Sequence, residues 1–434
     1  QAFAGWRRTP GHERAALLRR LADGFAAAIP ELAVIESRDN GNLVREHRAS
    51  LTAQVQWYQW FASLADKAQG STIPIDDSVH AFTTRVPVGV VGAIIPWNAP
   101  LLATCLKVGA ALAAGCTLVV KPAEQTPISA LVLARLVHEA GFPPGVFNVV
   151  PGWGRTAGQR LVEHPDVNKI SFTGSTATAR RMVQSGSDNL KRFSFELGGK
   201  SPHIIFDDAN LDAAIHGVVD GIFEGSGQSC VAGSRLFVHR KVLDKVLQML
   251  VERANTLRVD LPDAPGAQMG PVAGFRHRER IEAIVDSARR EGGDILAGGA
   301  RPEQAHLAAG AFYRPTVIAG LDHRATAVRE EIFGPVLCVL PFDDEEDLIA
   351  QANDTAFGLA SGIWTANYQR AWRIARVLEA GLVWINTYKQ LSISTPFGGF
   401  KESGIGREKG ATGMRLYQQS KGIYWSMNPA NMPG

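Results

Sequence analysis

Between Glu13 and Ile29, apolar residues return every three or four positions, at Ala16, Leu17, Leu21, Phe25 and Ile29. That period predicts an amphipathic helix. Pro30 predicts a break there, with a second helix running on toward Asp39 and Gly41. A third helix is expected over 48–68, its Trp57, Trp60 and Phe61 facing a core rather than a ligand. From Gly70 to Pro87 the pattern turns to alternation at Ile73, Ile75, Val79, Ala81 and Phe82, with Asp76-Asp77 at the turn. This is a hairpin pattern. With no partner strand nearby in sequence, the hairpin is expected to pair with another chain as an oligomerisation arm.

Regular strand–helix alternation follows. Apolar strands are expected at 88–95, 117–121, 146–150 and 169–173, with helices over 101–114 and 128–140 and another beginning at Gly158. Such runs predict a parallel sheet covered by helices, and ligands bind at the carboxyl ends of its strands. After Cys230 the alternation resumes, with strands at 235–239, 336–341 and 382–386 and helices over 241–257, 276–291 and 344–353. The expected fold class is α/β: a Rossmann-like parallel-sheet domain, a second α/β domain and a small β arm.

At 434 residues the chain exceeds what one hydrophobic core supports. Its net charge of +3, with no run of like charge, gives no footprint for nucleic acid or a membrane surface. The longest apolar stretch is interrupted by Pro96, Asn98, Pro100 and Lys107, so no spanning helix is expected. No secretory signal precedes the first helix, and the chain begins at Gln1 already in the approach to it. Cys105, Cys116 and Cys338 sit in apolar runs as small core residues; Cys230 alone lies among Gly, Gln and Ser. The spacing fits neither disulfides nor zinc and points to a reducing, cytoplasmic setting. The histidines, His203, His216 and His239 among them, lack i, i+4 pairing, and no metal is expected.

The chemistry concentrates between Glu196, which opens Glu-Leu-Gly-Gly-Lys, and Cys230, which closes Gly-Gln-Ser-Cys. A thiolate is the nucleophilic form of cysteine, and a carboxylate can take a proton from water. Phe193, Phe195 and Leu197 surround Glu196 in sequence, and such surroundings raise a carboxyl pKa toward what a base for water requires.

Seven motifs stand in a family order: Pro96-Trp97-Asn98, Lys121-Pro122-Ala123-Glu124, Phe172-Thr173-Gly174-Ser175-Thr176, Glu196 to Lys200, Gly227 to Cys230, Glu331-Ile332-Phe333-Gly334-Pro335 and Pro396-Phe397-Gly398-Gly399. Together they resemble the NAD(P)-dependent aldehyde dehydrogenase superfamily, of the hydrolytic, non-acylating type. The resemblance covers essentially the whole chain apart from an N-terminal portion the family usually has. It implies an NAD-binding domain over 1–69 and 88–198, a catalytic domain over 199–402, and an oligomerisation arm from 70–87 and 415–425. A homodimer or homotetramer is expected.

Carried over residue by residue, the resemblance makes Cys230 the nucleophile and Glu196 the base of deacylation. Asn98 and the backbone amide of Cys230 form the oxyanion hole, and Lys107 and Glu408 a proton relay. Ile95, Pro96 and Trp97 fall at cofactor-contact positions, Lys121 and Glu124 at the adenosine ribose. Gly154, Gly158, Phe172, Gly174 and Ser175 fall at adenine and pyrophosphate, and Glu331 and Phe333 at the nicotinamide ribose. Leu197 and His277 also align with cofactor contacts. The G-x-G-x-x-G fingerprint is absent, and Ala179 stands where the family commonly has a glycine. Glu124 would repel a 2′-phosphate, which favours NAD without excluding NADP. Ala99, Ala103, Leu106, Ser229, Val231, Leu391 and Phe397 would line the aldehyde tunnel. Alanines at its first positions imply room for a medium or aromatic aldehyde, and Lys389 and Ser392 near the mouth suit a semialdehyde. The alternatives weighed are a CoA-acylating dehydrogenase, a cysteine thioesterase or esterase without redox, and a non-catalytic protein on this fold.

Overall fold

The computed structural model describes residues 1–428 and 430. A six-stranded sheet has the order Gly404–Ile405, Arg192–Glu196, Lys169–Thr173, Val90–Ile94, Thr117–Lys121, Phe147–Val149. All its pairings are parallel except that of Gly404–Ile405 with Arg192–Glu196. In register, Ile94 faces Lys121 on one side and Phe172 on the other, and Thr173 faces Glu196. The carboxyl ends of four strands thus meet on one line. A seven-stranded sheet from the second half runs Asp294–Ala297, Thr316–Ala319, Val336–Phe342, Arg235–His239, Pro202–Ile205, Ala360–Trp364, Leu382–Ile385. Buried apolar clusters cover it, one including Ile204, Ile281 and Cys338, another Ile205, Val218 and Leu236.

Over the first sheet lies the helix Pro100–Ala114, buried on almost every side. Its sequence is apolar all round, with Lys107 the one charged residue, as a helix enclosed in a core must be. The helices Gly11–Asn40 and Val44–Leu64 pack across it through Leu21, Phe25, Tyr58 and Phe61. Here the break expected at Pro30 does not occur. One 30-residue helix passes through it. Proline leaves the Ala26 carbonyl without its intrahelical donor, but Ala26 and Pro30 both face water, which replaces the bond. The buried stripe continues through Ile29, Leu32, Ala33 and Glu36 and holds the helix together.

The hairpin forms from Thr72–Asp76 and Val79–Pro87. Its turn falls at Asp77-Ser78, one residue beyond the expected place. Its partner strand belongs to this same chain: Gln418–Ser426 pairs antiparallel with Val79–Pro87 along its whole length. The two outer strands carry Ile73, Ile75, Tyr424 and Trp425, all exposed. Among the described residues no helix is long and apolar enough to cross a membrane.

Candidate active site

Two close approaches fix the turn after Glu196, one to the Cys230 backbone and one to the Glu331 carboxylate. A Cβ on Gly199 would lie 2.4 Å from the Cys230 carbonyl oxygen, and one on Gly198 would lie 2.4 Å from Glu331 Oε2. A larger residue at Gly199 would push the strand end bearing Glu196 away from the loop bearing Cys230, and one at Gly198 would collide with the Glu331 carboxylate. Glu331 fastens the same turn by accepting from the Gly199 N–H at 2.9 Å. The loop leading to Cys230 carries three successive left-handed residues, Gly225, Ser226 and Gly227, with φ of 63°, 57° and 72°. Ser226 holds this conformation while its hydroxyl donates to the Gly270 carbonyl. A non-glycine residue there costs about 1–3 kcal/mol, which the surrounding loop must offset. Phe333, with φ 58°, is strained in the same way on the opposite wall.

The result is a cavity of about 320 Å³. Of the expected site residues, it brings together Cys230, Glu196, Asn98 and Glu408; Pro96, Trp97, Gly174, Ser175, Leu197, Glu331, Phe333 and His277; and Ala99, Ala103, Leu106 and Phe397. Trp97, His277 and Phe333 form a triangle of rings with centroids 5.3 to 6.2 Å apart. His277 Nε2 lies 2.7 Å from the Phe333 carbonyl, so that nitrogen is the donor. Asn98 Nδ2 donates to the Gln228 carbonyl at 2.9 Å, two residues before the nucleophile.

Cys230 is half-buried. Burial first, then the charges of Glu196 and Glu331, push its thiol up to about 12. Glu196 is buried, and its carboxyl is raised well above the ordinary range, first by burial and then by Glu408. Its Oε2 has no hydrogen-bond partner, a buried acceptor left open for water. Lys107 does not line the cavity. Its ammonium lies behind it, within 2.8 Å of Thr173 Oγ1 and 2.5 Å of Glu408 Oε1. Glu408 is fixed by reciprocal 2.7 Å backbone bonds with Phe397.

Other expected residues fall elsewhere. Lys121 and Glu124 form an ion pair at 3.0 Å at their strand's carboxyl end, with Gly158 packed beside the lysine stem. Burial works to raise the Glu124 carboxyl, but the hydrogen bond and charge of Lys121, together with a backbone N–H, hold the group below its ordinary range. Gly154 lies in the short Gly154–Gly158 turn next to that pair. Ile95 and Phe172 are buried, and Phe172 packs edge-on to Phe195. Ser229 and Val231 flank the nucleophile without lining the cavity, and Val231 faces the cluster of Leu359, Trp384 and Tyr388. Leu391 lines a neighbouring cavity of about 430 Å³, which shares Phe397 as a wall. Ala179 is buried beside Phe172 and Met182, and the Thr176–Ser185 helix forms with Ser175 as its cap. The extra methyl is therefore absorbed by the core. Lys389 is already engaged, by the Asp220 carbonyl at 2.9 Å and Glu224 at 3.2 Å.

Leu102, Thr173, Gly198 and Arg280 also line the cavity without having been singled out for it. Leu102 follows from helical spacing beside Ala99 and Ala103; Arg280 comes from a distant helix and left no local signal. Lys409 is a further surprise. It is 2% exposed, has φ 60°, and its Nζ stands over the Trp57 and Phe397 rings with no hydrogen-bond partner.

The donor set fits a dinucleotide. An ammonium and an ionised carboxylate together match a ribose diol, a capped helix N-terminus suits pyrophosphate, and a buried carboxylate stands at Glu331 near the sulfur.

Comparison with known proteins agrees. The family model described as "Aldehyde dehydrogenase family" matches residues 1–423. Cytosolic aldehyde dehydrogenase 1 of Rattus norvegicus is 42% identical over 436 residues, covering 99% of this chain and 86% of the relative. The crystal structure of a putative aldehyde dehydrogenase from Burkholderia cenocepacia superposes with a TM-score of 0.97 at 46% identity, covering 100% of this chain and 88% of that one. The NAD+ complex of an aldehyde dehydrogenase from Bacillus cereus gives 0.95 at 43% identity, covering 98% and 86%. This chain belongs to the aldehyde dehydrogenase family.

Proposed function

We propose that this NAD-dependent aldehyde dehydrogenase oxidises a medium-length or aromatic aldehyde to the free acid through a thioester on Cys230. The observation that carries this reading is the meeting of Cys230, Asn98 and Glu196 in one cavity walled by Glu331 and Phe333. Cys230 Sγ, having lost its proton, adds as the thiolate to the aldehyde carbon, and the charge passed to the former carbonyl oxygen is met by Asn98 Nδ2 and the Cys230 N–H. Each such donor contributes on the order of 3 kcal/mol to a developing oxyanion. NAD, when bound, supplies the hydride acceptor and a positive charge. Lys121 and Glu124 would hold its adenosine ribose and Glu331 its nicotinamide ribose. The thioester is then cleaved by water that loses a proton to Glu196, with Glu408 and Lys107 carrying that proton onward. An intact base supports hydrolysis over transfer to CoA.

Glu124 favours NAD over NADP, and NAD is expected to give the higher kcat/KM. Four free cysteines suit a reducing, cytoplasmic setting. The exposed apolar residues on the outer strands of the three-stranded sheet suit a homodimer or homotetramer built through that arm.

Two results follow here. With its thiol near 12, cofactor-free enzyme is alkylated slowly by iodoacetamide at pH 7. The rate climbs about tenfold per pH unit through pH 9, because only the thiolate reacts. Added NAD accelerates it at fixed pH; a rate flat with pH would contradict the account. Second, Ala99, Ala103 and Leu106 leave the cavity wide. Benzaldehyde and hexanal are expected to exceed acetaldehyde in kcat/KM by about tenfold or more, at roughly 0.8 kcal/mol per buried methylene. Succinic semialdehyde is a weaker fit, since its carboxylate must displace Glu224 from Lys389. A higher kcat/KM for acetaldehyde would overturn the wide-pocket reading.

A further inference from the structure

Asn98 is held by buried polar side chains that the reaction itself does not use. Glu36 and Asn40 come from the helix Gly11–Asn40 and His47 from Val44–Leu64; they are 2%, 2% and 6% exposed. Asn40 Nδ2 donates to the Asn98 carbonyl at 3.2 Å, and Asn42 Nδ2 reaches the same oxygen at 3.4 Å. Asn40 Oδ1 accepts from the Asn42 N–H at 3.0 Å. These two bonds fix which end of the Asn40 amide is oxygen. That oxygen lies 2.9 Å from His47 Nε2, so Nε2 carries a proton.

His47 Nδ1 lies 3.1 Å from Glu36 Oε2. Glu36 Oε1 accepts from the Leu101 N–H at 2.8 Å and from Ser129 Oγ at 3.1 Å. Asn98 and Leu101 bracket the entry to the Pro100–Ala114 helix, and one network pins both ends of that turn. Apolar residues would fill the same volume without the desolvation cost of a buried imidazole and carboxyl. What the polar network adds is direction: the main chain of Asn98 is fixed, and with it the origin of its side chain.

We propose that Glu36, His47 and Asn40 are positioning residues, which orient the Asn98 amide for the oxyanion by clamping its carbonyl and the following helical turn. The inference rests on the oxyanion role given to Asn98 above.

The test is a double-mutant cycle on the full-length enzyme, read as single-turnover formation of reduced cofactor, with NAD affinity and Tm measured alongside. Asn98→Ala is expected to slow that step about 100-fold or more. His47→Leu is expected to slow it about tenfold, the scale seen when a partner that orients a site residue is lost. His47→Gln, which can still donate to Asn40, recovers part of the rate. In the Asn98→Ala background, His47→Leu adds no further loss, and NAD affinity stays constant throughout. Multiplicative effects, or a loss of NAD affinity that accounts for the slowing, would overturn the proposal. Asn40→Ala runs the same cycle with the same expectations should His47→Leu fail to fold. An undiminished rate in Asn98→Ala would instead sink the oxyanion role itself.

Discussion

Cys230→Ala abolishes aldehyde oxidation while leaving NAD binding intact. The loop of left-handed residues at Gly225–Gly227 presents one sulfur to the cavity, and no other cysteine lines it. Cys105, Cys116 and Cys338 are buried in the core. Loss of a nucleophile costs on the order of 10⁵–10⁶ in kcat in enzymes of covalent mechanism, so steady-state turnover should fall to background. The Lys121–Glu124 pair proposed to hold the adenosine ribose lies outside the cavity that holds the sulfur, so fluorescence titration with NAD should give an unchanged Kd. Oxidation persisting within about tenfold of the parent rate would remove Cys230 from the reaction.

Glu196→Gln separates the two halves of the reaction. An amide of the same shape cannot take a proton from water, so deacylation slows by on the order of 10²–10⁴. Acylation does not depend on that proton transfer. Glu196 charge also contributes to raising the Cys230 thiol, so removing it makes the thiolate easier to form. The expected trace is a rapid burst of reduced cofactor followed by a slow steady state. The pH dependence follows from the same group. Burial and Glu408 raise the Glu196 carboxyl, so it is protonated over a range where an ordinary glutamate is ionised. Deacylation in the parent enzyme therefore increases with pH as the carboxyl ionises, and Glu196→Gln should lose that limb. A pH limb unchanged in the variant would assign the base elsewhere.

Much of this site was legible because its residues occupy strand ends, where local pattern and ligand position coincide. The runs Thr117–Lys121 and Lys169–Thr173 are strands at their expected bounds; Thr173, Gly174 and Ser175 at the end of the second line the cavity, while the Lys121–Glu124 pair at the end of the first stands outside it. His203 stacks on Tyr388 at 4.2 Å, and burial holds its pKa down to about 3. The helix through Pro30 was not legible, since its continuity comes from tertiary packing and from exposure of the broken carbonyl. Local pattern did not show the partner of the hairpin, because Gln418–Ser426 follows hundreds of residues later; only the family resemblance groups 415–425 with it. Lys409 and Arg280 were missed for a related reason: each reaches its place by a backbone path that neighbouring residues do not signal. Lys409 is a lysine in a core position, its pKa lowered to about 8 by burial although Glu408, Cys230 and Glu196 pull it back. Polarity in sequence reads such a residue as exposed. The Glu36–His47–Asn40 chain is the same case, since its members look like ordinary polar positions of two helices until the helices pack.

The central claim is a covalent thioester on Cys230 that only Glu196 releases. Intact-mass measurement of Glu196→Gln after one turnover with NAD and a saturating aldehyde tests it directly. The account predicts one acyl group added per subunit, mapping to the peptide that carries Cys230, together with one reduced cofactor formed. Reduced cofactor with no adduct, or an adduct on any other residue, would contradict it.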